Sequence, residues 1–187
     1  MTGRAALTMM LLAALPAQSH ELQENRATLV LRDKTHVSVT LYVAYTDALY
    51  QALAPQRPFA AFLLVYSAMK AEELEKELKK AQSHFEGATH FYLPGATARP
   101  LTVTNWVWPD VKQVQALLQQ RVMQSMVDAS GHSHEQPVEI RADANAAQEI
   151  TSLTVKFPEE FQKVLVVSYR PTQVWVDSKA VSPEIKF

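Results

Sequence analysis

Two stretches near the start of the chain place apolar residues at every second position. Leu29 and Leu31 fall between Thr28, Val30 and Arg32, and Val37, Val39, Leu41 and Val43 alternate with Ser38, Thr40, Tyr42 and Ala44. A period of two predicts strands with one buried face, and Asp33-Lys34-Thr35 between them is a polar turn. The expectation is a hairpin at about 27–45. The period then changes to that of a helix. Thr46 or Asp47 is placed to cap a short helix running to Leu53, and Pro58 suits the first turn of a segment from Phe59 to Met69 that is apolar nearly all round and so expected to be buried. From Ala71 to Phe85, Leu74, Leu78, Ala81 and Phe85 recur on one face, while glutamates and lysines fill the other as a solvated surface.

Two short strands, His90–Leu93 and Leu101–Val107, flank a Pro94-Gly95 turn. Asp110 is placed to cap a helix from Val111 to about Val127. Its inner stripe is Val111, Val114, Leu118 and Val122, with Leu117, Met123 and Met126 on the flanks, the methionines expected as core fillers. After a polar loop at 128–136, strand patterns return at 137–142, 150–157, 163–169 and 173–177. The sum is a mostly β chain with inserted helices, an α+β class. The specific expectation is an Ig-like β-sandwich of about eight strands with a helical block at about 46–85 and a helix at about 111–127. No repeat or long linker divides residues 20–187, which read as one domain.

The first nineteen residues read as an export signal. Arg4 supplies the positive end, and Ala5 to Leu15 is an apolar run shorter than the roughly 20 residues that span a bilayer. Pro16 then precedes the small-x-small site Ala17-Gln18-Ser19. Cleavage after Ser19 makes His20 the first residue of a mature periplasmic protein, with no transmembrane segment expected in the remainder.

Composition narrows the chemistry. The chain has 187 residues, is 48% hydrophobic and 20% charged, and carries a formal net charge of −1. That balance excludes nucleic-acid binding by bulk electrostatics. It has no cysteine, which removes disulfides, thiolate metal sites and thiol nucleophiles, and only 4 glycines, which leaves no phosphate-cradling loop. No Gly-x-Ser-x-Gly elbow is present. Ser67-Ala68-Met69-Lys70 matches the letters of a Ser-x-x-Lys pattern without the companion Lys-Thr-Gly. Trp106 and Trp108, in or next to a strand, share one face, expected as core or rim, with an exposed aromatic platform as the alternative.

The histidines are the distinctive feature. Imidazole nitrogen suits Cu, Ni or Zn in divalent form. His20, as a new N-terminus, would offer both its α-amine and its ring to one ion. His132 and His134, in the run His132-Ser133-His134-Glu135, are alternate residues whose rings would project to the same side of an extended segment. The candidate metal ligands are therefore His20, His132 and His134. His84, near a helix end, has a sufficient role in balancing the helix dipole, and His36 begins a strand beside a turn.

Ser19-His20-Glu21-Leu22, followed by Leu29-Val30-Leu31 and Val37-Ser38-Val39-Thr40-Leu41, resembles the extracytoplasmic N-terminal region of HupE/UreJ-type membrane proteins. The resemblance covers about the first thirty residues after the signal. It implies a link to nickel or other metal handling, with His20 as the residue carried over. Proteins of that type continue into several membrane helices, which this sequence up to Phe187 does not contain. The expected function is that of a non-enzymatic periplasmic binding or accessory protein, holding a transition metal through histidines. Two further readings are a histidine-brace copper oxidase using the mature N-terminal His20, and an interaction domain of an envelope complex using an exposed strand edge or the Trp106/Trp108 face. The expected partner is an envelope or membrane protein.

Overall fold

A computed structural model describes residues 25–95, 100–127 and 136–172. Strands β1 (Asn25–Leu31) and β2 (His36–Val43) form the antiparallel hairpin that the alternation predicts, with Leu29 opposite Val39. Asp33 closes its turn: the Oδ1 atom accepts the Thr35 amide at 2.7 Å, and this bond holds the carboxyl below its usual pKa. Helices α1 (Tyr45–Leu53), α2 (Phe59–Ser67) and α3 (Ala71–Ala88) follow, then β3 (His90–Tyr92), β4 (Thr102–Val107), α4 (Val111–Val127), β5 (Val138–Asn145), β6 (Thr154–Lys156) and β7 (Val164–Tyr169). A short 3-10 turn, Glu159–Phe161, precedes β7.

The large sheet has the order β4-β5-β2-β1-β7, and β3 pairs with β6 in a separate two-stranded sheet. All pairings in the large sheet are antiparallel except β1 with β7, which is parallel. The molecule is thus α+β with a mixed sheet. The Ig-like sandwich of about eight strands is not found among the described residues, which form seven strands split five and two. The expected strand at 173–177 lies outside them. The physical reason for the difference is that helices, not a second large sheet, supply the apolar partner surface: Phe62, Leu63, Leu74, Leu78, Phe85 and Leu118 join the sheet residues in one buried cluster.

The register shows how that cluster is laid down. Across the inner face, Leu29, Val39 and Ala142 sit side by side, as do Ala27, Leu41 and Ile140, all of them buried. The opposite face carries Thr28, Thr40 and Arg141 in one row and Arg26, Tyr42 and Glu139 in the next, with the Arg26 guanidinium 4.7 Å from the Tyr42 ring centre. One side chain ties the layers at the chain's entry. Asn25 donates its Nδ2 to the Phe161 carbonyl at 2.6 Å and accepts the Ala44 amide on Oδ1 at 2.8 Å, fixing the start of β1 to the start of α1 and to the 3-10 turn.

The helices depart from expectation at their outer surfaces. α1 begins at Tyr45 with Ala44 in the cap position and no side-chain cap; Asp47 lies in its first turn instead. α2 buries Phe62, Leu63 and Tyr66, but Leu64 is 54% exposed and Val65 is also exposed. A single layer of helices has an outer side, so even a helix apolar all round buries only part of its circumference. The same holds for α4. Val114 and Leu118 are buried as expected, whereas Met123 and Met126 are exposed, Met126 at 74%, and are not core fillers. Asp110 does cap α4, in a reciprocal box: the Gln113 amide donates to Asp110 Oδ1 at 2.8 Å and the Asp110 amide donates to Gln113 Oε1 at 2.9 Å. The strands flanking Pro94-Gly95 part company into different sheets, joined by a bridge between Tyr92 and Pro100 and by the Leu101 amide donating to the Phe91 carbonyl at 2.7 Å.

Leu41 is 1% exposed on the middle strand, between Ala27 and Ile140. Leu41→Ala is expected to cost about 2–5 kcal/mol of stability, the range for a cavity opened in a packed core. Urea unfolding followed by circular dichroism measures it, and a loss under 1 kcal/mol would refute the placement of the core.

Candidate functional site

His20, His132 and His134 lie outside the described residues. The described histidines at positions 36 and 84 are each paired with a carboxylate. His36 Nε2 is 2.9 Å from Asp143 Oδ1, and His84 Nε2, in the last turns of α3, is 2.7 Å from Glu160 Oε1. His84 therefore links α3 to the 3-10 turn, a more specific role than its effect on the helix dipole. His90 packs its ring against Tyr92, with centroids 5.8 Å apart. Among the described residues no group of three or more His, Asp or Glu side chains is arranged to hold a metal ion.

The Asp143 carboxylate is the centre of a polar cluster on the outer face of the sheet. Asn105 Nδ2 donates to its Oδ2 at 3.0 Å, His36 meets Oδ1, and Ser38 Oγ approaches Oδ1 at 3.5 Å. The Asn105 backbone makes this possible. The register of β4 on β5 shifts between Thr104 and Val107, and Asn105 takes a φ of 55°, so the bulge turns its amide toward Asp143. The Asn105 hydrogen bond, followed by His36, holds the Asp143 carboxyl below the usual carboxylate range. The cluster contains a serine, a histidine and an aspartate, but the wiring is not that of a nucleophile and its base. Ser38 receives the Arg32 Nε–H at 3.1 Å and points to the carboxylate, while no bond joins its hydroxyl to the imidazole. What the arrangement does chemically is clamp β2, β5 and β4 together through one anion.

The two tryptophans stack at 5.4 Å between ring centres with planes 14° apart, and both are half-buried against the core. Trp108 Nε1 donates to Glu86 Oε1 at 2.8 Å, tying the end of β4 to α3. Tyr45 lies 6.1 Å from Trp108; burial pushes its hydroxyl well above the usual tyrosine range, against a smaller opposing effect of the Gln82 amide. Beside Trp108 a cleft of about 510 Å³ runs between α4 and the start of β5, with Leu117, Gln120, Glu139 and Arg141 on its walls.

The second cleft, of about 530 Å³, adjoins the edge of the sheet. It is lined on the sheet side by Leu29, Leu31, Val37 and Val166, and on the other by residues 150–153 and Val155. The Ile150 amide donates to the Lys34 carbonyl at 2.7 Å, which pins that stretch over the end of the hairpin. β7 forms the rim. It runs Val164-Leu165-Val166-Val167-Ser168-Tyr169, with β1 on one side and, among the described residues, no strand on the other. Leu165, Val166 and Tyr169 are between 44% and 56% exposed. From the pairing with β1, Val166 and Ser168 lie on the inner face beside Ala27 and Leu29, while Leu165 and Tyr169 lie on the outer face.

The two edges of the sheet are unlike. β4 is blunted by its bulge and by Thr102, Thr104 and Asn105. β7 has no bulge, proline or charge within it, the features that normally protect an edge from pairing with another chain. Sequence reasoning placed a strand at 163–169 but had no means of knowing it is an edge; its one signal was the uncharged run 164–169 that follows Lys163. The Asp143 cluster left no signal, because its members are scattered across the sequence.

No protein-family model matches the chain, and neither the curated proteins nor the solved structures contain a match.

The Asp143 pKa is lowered from an ordinary value of 3.8, so its interactions stabilise the fold above that value and are lost as pH falls through the lower, folded-state value. Asp143→Asn is expected to be less stable than the parent at pH 6, with the difference shrinking as pH drops below about 4. Thermal melts from pH 6 to 2 test this; a difference that stays constant with pH would contradict it.

Proposed function

We propose that this chain is an exported, non-enzymatic accessory protein that recognises an extended segment of an envelope partner along β7. The observation that carries the reading is an uncharged six-residue edge strand beside a cleft of about 530 Å³. A strand added to a sheet edge gains main-chain hydrogen bonds, and pockets next to the edge select alternate side chains. β7 offers both requirements on one side of the molecule. The export signal at residues 1–19 is the basis for the periplasmic setting, and an intact mass beginning at His20 is its check. No helix among the described residues is long and apolar enough to cross a membrane.

The edge reading is tested in living cells. A photoreactive phenylalanine analogue in place of Tyr169 is expected to give a cross-linked product of one defined mass. The same analogue in place of Lys76, on the charged face of α3, is expected to give none. Val166→Lys, introduced with the label at 169 and shown by melting to be folded, is expected to reduce the product at least fivefold. Equal labelling from both positions, or none from either, would refute the reading.

Metal binding is a second component, resting on His-x-His at 132 and 134 and on His20 at the mature terminus. Calorimetric titration with divalent Cu, Ni and Zn is expected to show micromolar or tighter binding that fades below about pH 6 as imidazoles protonate. Replacing all three residues by Ala without changing the isotherm would exclude them.

A further inference from the structure

Resting on the reading of β7 as a docking edge, we propose that its partner is an extended apolar segment flanked by acidic residues, with a large apolar side chain entering the cleft beneath Val166. The argument starts from charge. β7 itself carries none, but Lys163 and Arg170 stand immediately before and after it, and both are exposed. Among the described residues neither is held by a hydrogen bond or an ion pair. Two cations about seven residues apart along an extended chain are separated by about 23 Å. A strand of eight residues laid against β7 therefore brings its two ends to the two cations. Carboxylates at those ends meet opposite charge, and lysines there meet like charge.

The cleft supplies the second determinant. Arg170 lines it together with Val166, and its floor is Leu29, Leu31 and Val37. Successive side chains of an added strand point to opposite faces, so every second one would face the inner side of the sheet, where Val166 and Ser168 leave room. The floor is apolar and the mouth cationic. That combination fits an aliphatic or aromatic side chain followed by a carboxylate at the end of the segment. The outer-facing residues of the partner meet Leu165 and Tyr169, where threonine or valine suffices.

The test uses the full chain and two labelled peptides. One has glutamate at both ends of an alternating Val/Thr/Phe core, and its twin has lysine at both ends. Fluorescence anisotropy is expected to show the acidic peptide binding at least tenfold more tightly at low salt, with the advantage shrinking as salt rises. Lys163→Glu together with Arg170→Glu is expected to reverse the preference toward the lysine peptide, an effect that loss of folding would not produce. Equal affinity for the two peptides, or no binding of either, overturns the proposal. The cross-link from position 169 would survive that result if only the partner chemistry is wrong, and would vanish if β7 is not a docking edge. Two controls read the free protein. Amide exchange along β7 is expected to be fast at alternate positions, and uniformly slow exchange would show the edge already covered by the chain itself. Sedimentation is expected to give a monomer at all concentrations, and a concentration-dependent dimer abolished by Val166→Lys would assign the edge to a second copy instead. Either of those outcomes also overturns the proposal.

Discussion

The structure depends on the burial of one face of β2. Val37, Val39, Leu41 and Val43 are each at most 2% exposed, and their neighbours on β1 and β5 repeat the pattern in register. A one-residue slip of this strand would turn its polar set, Ser38, Thr40 and Tyr42, toward the helices. The hairpin turn, the Asn25 bonds and the Asp143 clamp all act on the position of this strand or its neighbours. They add specificity to an arrangement whose driving force is the transfer of these aliphatic side chains from water.

Having only one apolar face shapes everything else. The helices lie on that face in a single layer, so their far sides meet solvent, and Leu64 and Met126 remain exposed for that reason. Among the described residues the outer face of the sheet has no such cover and is held by polar bonds, with Asp143 joining three strands. The two edges diverge accordingly. Among the described residues, the bulge and the polar residues end the sheet on the β4 side, whereas on the β7 side the pattern stops with main-chain groups and apolar side chains at the rim.

What could be read from the sequence was local. The hairpin, the amphipathic face of α3 and the Asp110 cap on α4 follow from residues within a few positions of each other, and periodicity reports such relationships directly. Pairing partners are not local. Nothing in the run 164–169 says that it lies parallel to β1, nothing in 90–92 says that it pairs with 154–156, and a count of strands cannot tell a sandwich from a sheet covered by helices. The exposed methionines of α4 show the same limit, since periodicity gives the inner stripe but not how far round the helix the neighbours reach. Of the candidate site, His36 gave the residue but not its partner, which is 107 positions away. His20, His132 and His134 belong to segments outside the described residues, where only the sequence speaks.

The parallel pairing of β1 with β7 joins the first described strand to the last. Asn25 and Phe161, bonded to each other, are 136 residues apart. No portion of a nascent chain that stops short of β7 can complete this sheet, and the outermost pairing has to wait until residues 164–169 have been made. Such high contact order slows folding and leaves the outer margin of β1 unpaired in the meantime.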